Sequence, residues 1–270
     1  MEKEILIKIN CNMKDNYILY LLVLSSKEAF KVGISSLNNF ERILFLSKMY
    51  SFDFENTAKE LFRITKEGGI VVWIVGDKTD KGSETLTSFK QALYFKELGF
   101  NVHDTMIYQS DKPPLNHNRY EQKFEYMFVF SKGKPKIFNP IMEDCKYAGE
   151  SKKARTFRHT GEELQETHIK SGVKDTKIKG NIWIYSTGYN KSTTDKIAFK
   201  HPAIFPEKLA EDHIITWSNE GDIILDCFIG SGTTAKMAIL NNRNYIGFES
   251  SEEYCSIANQ RIEDIQNSIS

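Results

Sequence analysis

The sequence predicts an α/β protein with a doubly wound, mostly parallel sheet and an irregular insertion. Two observations favour this fold class. Short continuous apolar runs, such as residues 70–75 and 223–225, alternate with segments of helical periodicity, which is typical of buried parallel strands joined by helices. Both runs are followed by Asp or Gly-Asp, in the loops where open α/β sheets bind their ligands.

The first half of the chain supplies the early elements of this sheet. Residues 5–9 have a weak strand pattern, and residues 17–24 fit either a buried strand or a helix segment. Residues 57–66 place apolar side chains on one helical face and end before a Gly-Gly pair, which predicts an amphipathic helix. The next strand ends in a Gly-Asp pair, whose Asp77 either lines a ligand pocket or caps the following helix.

The later elements continue the alternation. A helix at 88–98 precedes strands at 102–108 and 126–130, which we expect to be late antiparallel members of the sheet. Two further helices are predicted at 207–217 and 252–265, and the second is expected to cover the core.

Residues 222–249 contain the pattern that organises the chain. An apolar strand stops at Asp226, a loop with Gly230 and Gly232 leads into a helix, and a second strand ends on Glu249. This order is that of half a nucleotide-binding unit, because glycines admit the ligand, an open helix N-terminus offers N–H groups and the acid accepts from ribose hydroxyls. The glycines alone fit a tight structural turn equally well.

The same loop also limits which ligand is expected. It lacks a third glycine at the dinucleotide spacing, and it lacks the Gly-Lys-Ser/Thr of a phosphate-binding loop. These absences disfavour NAD and ATP and leave a nucleoside without a pyrophosphate.

The composition limits the class of protein. With 270 residues and 40% hydrophobic content, the chain can bury one substantial core, which predicts a single domain over residues 1–270. The formal net charge is zero, so any nucleic-acid footprint must be local. Four widely separated cysteines indicate neither a metal site nor disulfides, and they favour a reduced cytoplasmic setting. The apolar run at 17–24 is too short to span a membrane.

The loop at 226–234, with the sequence Asp-Cys-Phe-Ile-Gly-Ser-Gly-Thr-Thr, resembles the S-adenosylmethionine loop of amino-group DNA methyltransferases. It is most similar to the subgroup whose cofactor motif lies C-terminal to the catalytic motif. Cys227 replaces the usual proline, a departure that leaves backbone contacts intact. Residues 50–140 resemble the adenine-specific branch, and the resemblance covers about four fifths of the chain. It implies the sheet of S-adenosylmethionine-dependent methyltransferases.

The resemblance also implies roles for individual residues. The glycine loop would shape the pocket for the methionine end of the cofactor, Phe228 would pack against the cofactor, and Glu249 would bind the ribose. By itself His201 suggests a cap or a packed histidine, but in the family a matching His-Pro-x-x-Phe-Pro segment lines the methionine end. The predicted cofactor-binding residues are Asp226, Phe228, Gly230, Ser231, Gly232, Thr233, Glu249 and His201.

Residues 134–195 lose the periodic pattern and carry more basic than acidic side chains. A solvated surface insertion is the simplest interpretation. The resemblance instead implies a target-recognition region, in which basic side chains neutralise phosphates and aromatic side chains stack on bases. Trp183 fits a core anchor equally well. The candidate DNA contacts are Lys152, Lys153, Arg155, Arg158, Trp183, Tyr185, Tyr189 and Asn190.

One expected motif is missing. The family's catalytic tetrapeptide, an Asp, Asn or Ser followed by Pro-Pro and an aromatic residue, ends a strand shortly before the segment that matches residues 50–54. None of the six prolines here precedes Tyr50, and the Lys-Pro-Pro-Leu at 112–115 lacks both the acceptor and the aromatic side chain. The catalytic residues are therefore unknown. Our hypothesis is that the anomalous residues 15–49 come from a shifted reading frame or were replaced, which reading the coding DNA in its other frames tests.

The function implied by the resemblance is site-specific methyl transfer from S-adenosylmethionine to the exocyclic amino group of adenine in double-stranded DNA. A non-catalytic relic that binds the cofactor or DNA is the main alternative, because the tetrapeptide is absent. A methyltransferase acting on a small molecule, RNA or protein is disfavoured, since it leaves the basic insertion unexplained. A homodimer and a partner restriction endonuclease are further possibilities at the level of the family.

Overall fold

The computed structural model describes residues 18–24, 53–110, 119–149, 153–155, 166–168 and 173–269. For residues 18–24, 153–155 and 166–168 only the backbone is described. The strand predicted at 5–9 lies outside these residues.

A seven-stranded sheet forms the centre of the described structure. Its strands are β1 (Ile18–Leu24), β2 (Ile70–Val75), β5 (Asn101–Ser110), β6 (Phe124–Ser131), β11 (Ile182–Tyr185), β12 (Ile223–Asp226) and β13 (Asn244–Gly247). Their order is β11-β5-β6-β2-β1-β12-β13, and only β6 runs antiparallel to its neighbours. The expected late antiparallel member is therefore β6 alone, because β5 runs in the same direction as β2.

The remaining strands are short. They form a hairpin of β3 (Thr79–Asp80) with β4 (Ser83–Glu84), and two antiparallel pairs within the predicted insertion. These pairs join β7 (Met142–Asp144) to β10 (Thr176–Ile178), and β8 (Lys153–Arg155) to β9 (Glu166–His168).

The run predicted at 17–24 as strand or helix is the interior strand β1. It pairs in parallel with β2 on one side, where Leu19 lies opposite Ile70, and with β12 on the other, where Ile18 lies opposite Ile223. Strands inside a parallel sheet that helices cover on both faces are typically unbroken apolar runs, and the sequence Ile-Leu-Tyr-Leu-Leu-Val-Leu fits this position.

Helices cover both faces of the sheet, as a doubly wound fold requires. On one face, Phe54 and Phe95 pack with their ring centroids 5.5 and 5.0 Å from that of the buried Trp73. On the other face His213 contacts Met127, which lies one residue from the cross-strand partner of Trp73 and so points the opposite way. The helices are α1 (Phe54–Ile64), α2 (Thr87–Glu97), α3 (Glu207–Trp217), α4 (Thr233–Leu240) and α5 (Glu252–Ile269).

Local sequence explains where α1 begins. The Asp53 carboxylate accepts from the Asn56 backbone N–H at 3.1 Å, which makes Asp53 the N-cap. The helix therefore begins three residues before the predicted start at 57, because the capping aspartate rather than the apolar periodicity sets the end. Its buried residues Ala58 and Leu61 lie one turn apart on the face that meets the sheet.

The chain separates into two compact units. Pro140–Gly180 forms the second unit and lies inside the predicted insertion at 134–195. Residues 181–195 belong to the main unit instead, because β11 joins the sheet beside β5. Trp183 and Tyr185 are buried there, so the expectation that they contact bases is wrong. Trp183 does anchor a core, but that of the main unit and not that of the insertion.

The remaining candidates for DNA contact divide into two groups. Tyr189 is 62% exposed and Asn190 is also exposed, so both stay available to a ligand. Lys152 and Arg158 lie outside the described residues, as do the side chains of Lys153 and Arg155.

Within the described residues, no helix is both long enough and apolar enough to cross a membrane. Cys145, Cys227 and Cys255 are free thiols, and Cys11 lies outside the described part of the chain.

Asp77 caps α2. Its carboxylate accepts from the Ser88 backbone N–H at 3.0 Å and from the Ser88 hydroxyl. We expect Asp77→Ala to lower the free energy of unfolding by about 1 kcal/mol, since the first turn of α2 loses its side-chain acceptor. Asp77→Asn should retain most of the stability through its amide oxygen. Urea unfolding of both variants checks this, and equal losses would show that the cap is not the cause.

Candidate functional site

The predicted glycine loop connects β12 to α4. Gly230 has φ +50° and Gly232 has φ +82°, a backbone region that strongly favours glycine. A Cβ on Gly232 would also lie 2.9 Å from the Cβ of Ala258, so α5 packs directly against the loop. Both glycines are therefore required by the turn itself, whether or not a ligand binds there. This agrees with the interpretation of the glycines as a tight structural turn.

Glu249 ties the loop to the end of the next strand. Its Oε2 accepts from the Gly230 backbone N–H at 3.1 Å, across 19 residues of sequence. Its Oε1 accepts from the N–H groups of Ser250 and Ser251 at 2.8 and 2.9 Å. The carboxylate therefore faces the glycine turn, and Oε2 keeps a lone pair for a further donor.

Asp226 plays a different part from the one predicted. It is 1% exposed, and its carboxylate accepts from the Phe228 N–H at 2.8 Å and the Thr234 hydroxyl at 2.6 Å. Burial raises the pKa of Asp226 to about 7, against the lowering effect of these two hydrogen bonds, and the charge of Glu249 adds to the rise. Asp226 thus holds the loop together from inside and does not line the cleft.

An open cleft lies over the loop. Six of the eight predicted cofactor residues line it, whereas Asp226 and Gly232 lie behind its wall. The six are His201, Phe228, Gly230, Ser231, Thr233 and Glu249.

Several apolar side chains that line the cleft were not predicted from the sequence. Ile204 and Phe205 belong to the same His-Pro-x-x-Phe-Pro segment as His201, so the segment was a usable signal for them. Phe248 lies directly before Glu249 at the end of β13 and is 5% exposed. Flat apolar walls beside a hydrogen-bonding acid suit a ligand with an aromatic ring and a ribose.

His201 supplies a polar group at the cleft. It is 5% exposed, its Nδ1 accepts from the Ala203 backbone N–H at 3.1 Å, and its ring packs 4.2 Å from that of Tyr254. Accepting at Nδ1 leaves the proton of the neutral ring on Nε2, and burial lowers the pKa of His201. Among the described residues Nε2 has no hydrogen-bond partner, and it lies beside Gly230. This orphan donor suits an acceptor on a ligand.

Within the described residues, no group of His, Cys, Asp or Glu side chains could hold a metal ion. Besides its apolar walls, the cleft offers the Glu249 carboxylate, the His201 imidazole and the hydroxyls of Ser231, Thr233 and Ser250.

Most of the chain matches the sequence model of one known protein family. The sequence model of the N6/N4 DNA methylases matches residues 38–260. The chain belongs to the DNA methylase family. Members of this family use S-adenosylmethionine, so the predicted family and cofactor are confirmed.

Individual relatives agree with this membership. The chain is 61% identical over 219 residues to the orphan methyltransferase M.BamHII of Bacillus amyloliquefaciens, covering 80% of this chain and 82% of the relative. It is 27% identical over 205 residues to the type II methyltransferase M.BglII of Bacillus subtilis, covering 75% of this chain but only 54% of that one. The chain thus spans about half the length of M.BglII.

Solved structures support the fold of this DNA methylase. The PvuII DNA methyltransferase, described as cytosine-N4-specific, superposes with a TM-score of 0.61 at 20% identity and covers 94% of this chain and 85% of that one. The complex of M1.HpyAVI with S-adenosylmethionine has a TM-score of 0.51 at 20% identity, covering 91% and 88%. The predicted methyltransferase type of α/β fold is confirmed.

The raised pKa of Asp226 predicts a dependence of stability on pH. Because the folded-state pKa lies above the unfolded-state value, its contribution is complete below about pH 4 and is lost as pH rises through about 7. The wild-type free energy of unfolding should fall across that window by up to about 4 kcal/mol from this group. Asp226→Asn, which keeps an acceptor for Phe228, should remove this part of the slope.

Urea unfolding between pH 4 and pH 8 measures the effect. Thr234→Val serves as the companion variant, because it removes a hydrogen bond that lowers the pKa of Asp226 and should extend the loss to higher pH. An unchanged slope in Asp226→Asn would contradict the assignment.

Proposed function

We propose that this DNA methylase is a site-specific methyltransferase that transfers a methyl group from S-adenosylmethionine to the exocyclic amino group of adenine in duplex DNA. Family membership and the relatives named as methyltransferases support the activity. The main support for the cofactor site is the hydrogen bond from the Gly230 N–H to Glu249. It places the carboxylate against the glycine turn and leaves an oxygen lone pair for a ligand.

The residues of the cleft fit this cofactor. The free lone pair of Glu249 Oε2 can accept from a ribose hydroxyl, and Phe248 and Phe228 can flank the adenine ring. His201 Nε2–H is placed to donate to an acceptor at the methionine end. Ser231 and Thr233 lie at the N-terminus of α4, where unpaired backbone N–H groups favour a carboxylate.

Bound S-adenosylmethionine supplies an electrophilic methyl group. The protein must bind the extruded base and accept from both hydrogens of its amino group, since that nitrogen is conjugated with the ring. In the family these acceptors come from the tetrapeptide after a strand that precedes the segment matching residues 50–54. Here β1 precedes that segment and is followed by Ser25-Ser26-Lys27. The catalytic residues therefore remain unassigned, and the inactive relic stays the alternative that the assay below tests.

The choice of adenine rests on the resemblance of residues 50–140 to the adenine-specific branch. The N6/N4 family model covers both amino-group chemistries, and the superposed PvuII enzyme is described as specific for cytosine N4. Assaying transfer to adenine and to cytosine in the same DNA therefore tests the preference directly.

The Pro140–Gly180 unit is our proposed target-recognition region. Its sequence has nine basic and seven acidic residues, and none of its described residues forms a strand of the main sheet. A small unit outside the sheet is free to vary its base contacts without disturbing the cofactor site. The predicted region of residues 134–195 also included residues 134–139 and 181–195, but these belong to the main unit.

We also propose that two copies associate through α2. Leu86, Phe89 and Leu93 are 47%, 45% and 60% exposed and repeat at the spacing of one helical face. Phe89 packs on Tyr126, and the cross-strand neighbours of Tyr126 continue the apolar row to Ile182, which is 57% exposed. A row of this kind is what a self-association surface requires.

Charge supports a second copy as the occupant of this row. Lys90 and Glu97 are exposed and flank the same face of α2, seven residues apart. When two such helices pack antiparallel about a two-fold axis, the same flank of each helix faces the other. Lys90 of each copy then lies opposite Glu97 of the other, which gives two equivalent ion pairs.

A cytoplasmic location follows from a DNA substrate and is supported by three free thiols. A partner restriction endonuclease remains a family-level proposal. Several relatives are named type II methyltransferases, while M.BamHII is named an orphan methyltransferase.

Cofactor binding should depend on the carboxylate of Glu249. Glu249→Gln exchanges one acceptor oxygen for a donor amide against two backbone N–H groups, so we expect S-adenosylmethionine to bind at least about tenfold more weakly. Glu252→Gln, an exposed acid at the start of α5, should bind as the wild type does. Isothermal calorimetry measures both, and equal affinities in all three proteins would refute the assignment.

The same proteins then test the activity. Wild-type protein incubated with cofactor labelled in the methyl group and with unmethylated genomic DNA should transfer label to adenine, and Glu249→Gln should transfer much less. Cofactor binding without any transfer would identify the relic, and label only on cytosine would contradict the choice of base.

Self-association should depend on Leu93. Leu93→Lys places a charge at the most exposed of the three apolar positions, Leu86, Phe89 and Leu93. We therefore expect it to shift the protein from dimer to monomer in sedimentation equilibrium. Leu240→Lys, at the exposed end of α4, is the matched control and should remain dimeric. A monomeric wild-type protein at micromolar concentration would overturn the proposal.

A further inference from the structure

A partly buried cluster of four charged side chains lies behind the glycine loop, with its two cations buried and its two anions partly exposed. It joins Asp195, Glu207 at the start of α3, Lys236 in α4 and Arg261 in α5. Both cations contact both anions at 2.8 to 2.9 Å, so the cluster is neutral overall. Burial acts to raise the pKa of Asp195, but the hydrogen bonds from Lys236 and Arg261 outweigh it and hold that pKa below its usual value.

Arg261 connects this cluster to the loop. Its Nη1 donates to the Ser231 carbonyl oxygen at 2.6 Å, and it lies 3.2 Å from the hydroxyls of both Ser231 and Thr233. Its Nε and Nη2 donate to Asp195 and Glu207. All three guanidinium nitrogens are therefore used, and the side chain is fully buried.

The geometry requires an arginine. A planar guanidinium presents donors in three fixed directions, whereas a lysine ammonium is a single point on a flexible stem. Desolvating a cation is also costly unless every donor has a partner. A side chain that only neutralised Asp195 and Glu207 would not need the third set of contacts, the one to Ser231 and Thr233.

Arg261 touches the cleft only through other residues. Ser231 and Thr233 line the cleft, while Arg261 does not. One helical turn earlier, Ala258 packs against Gly232, so α5 holds the loop both by apolar contact and by hydrogen bonds. The shape of the loop therefore depends on α5.

We propose that Arg261 is a positioning residue for the cofactor loop, which fixes Ser231 and Thr233 so that the affinity for S-adenosylmethionine depends on a side chain outside the cleft. The inference rests on the proposed function, since it assigns the loop to that cofactor. The anions Asp195 and Glu207 in turn orient Arg261, and so link the loop to the segment after β11 and to α3.

Arg261→Lys tests the role, with Arg243→Lys as the matched control. Arg243 also donates through all three nitrogens, to Ser218 and to the Asn241 carbonyl, but it contacts neither the loop nor the cleft. Calorimetry with S-adenosylmethionine should show at least about tenfold weaker binding for Arg261→Lys and a change below about twofold for Arg243→Lys. Urea unfolding of both variants shows whether they are folded and equally destabilised.

A second measurement needs no ligand. Hydrogen exchange of the backbone amides in residues 229–234 should speed up in Arg261→Lys and stay near the wild-type rate in Arg243→Lys. If the wild type binds no S-adenosylmethionine but the exchange pattern appears, the proposed function fails and the positioning role stands. Unchanged exchange in Arg261→Lys, or equal effects of the two variants on exchange and binding, overturns the positioning role.

Discussion

The hydrogen bond between the Gly230 N–H and Glu249 is the contact on which the site depends. It joins the loop after β12 to the end of β13, two neighbouring parallel strands whose carboxyl ends meet at one edge of the sheet. Without it, the glycine turn would still be held by the hydrogen bond from the Ile229 N–H to the Phe248 carbonyl, by Asp226 and by α5, but the acid would lose its contact with the turn. With it, the acid has a fixed orientation before any ligand binds, so little ordering is left for binding to accomplish.

The support of the loop comes in layers of different chemistry. Asp226 satisfies the Phe228 N–H and the Thr234 hydroxyl inside the turn, Gly232 packs on Ala258, and Arg261 binds the Ser231 carbonyl from behind. Each layer is buried, where an unpartnered polar group would be strongly unfavourable. His201 Nε2 is a buried polar group without a partner among the described residues, and it is not one of the contacts that hold the turn.

The sequence was informative wherever a pattern was local. The apolar run of β2 and the strand, loop, helix order of 222–249 predicted real elements, because backbone demands there are met by neighbouring residues. The sequence could not show that Asp226 and Glu249 have different roles. The Asp226 side chain turns into the loop, whereas the Glu249 side chain reaches across it, and this difference depends on the pairing of β12 with β13. Arg261 was hidden for the same reason, because its partners lie 28 to 66 residues away.

Longer-range packing also explains the misjudged aromatics. Trp183 and Tyr185 follow an irregular, basic segment in sequence, yet the alternation of β11 buries them against α3 on one face and exposes Ile182 and Ile184 on the other. Only the pairing of β11 with β5 reveals that this short run is an edge strand of the main sheet. The strand β1 was ambiguous because an apolar run of seven residues has no periodicity that separates strand from helix.

The antiparallel pairing of β7 with β10 brings the two ends of the Pro140–Gly180 unit side by side, with Met142 opposite Ile178 and the Lys179 N–H bonded to the Ile141 carbonyl at 2.8 Å. The first and last strands of this unit are therefore held together by their own pairing. Changes in the length of the loop between them carry a small entropic penalty. We therefore expect insertions and deletions between β7 and β10 to leave this pairing in place.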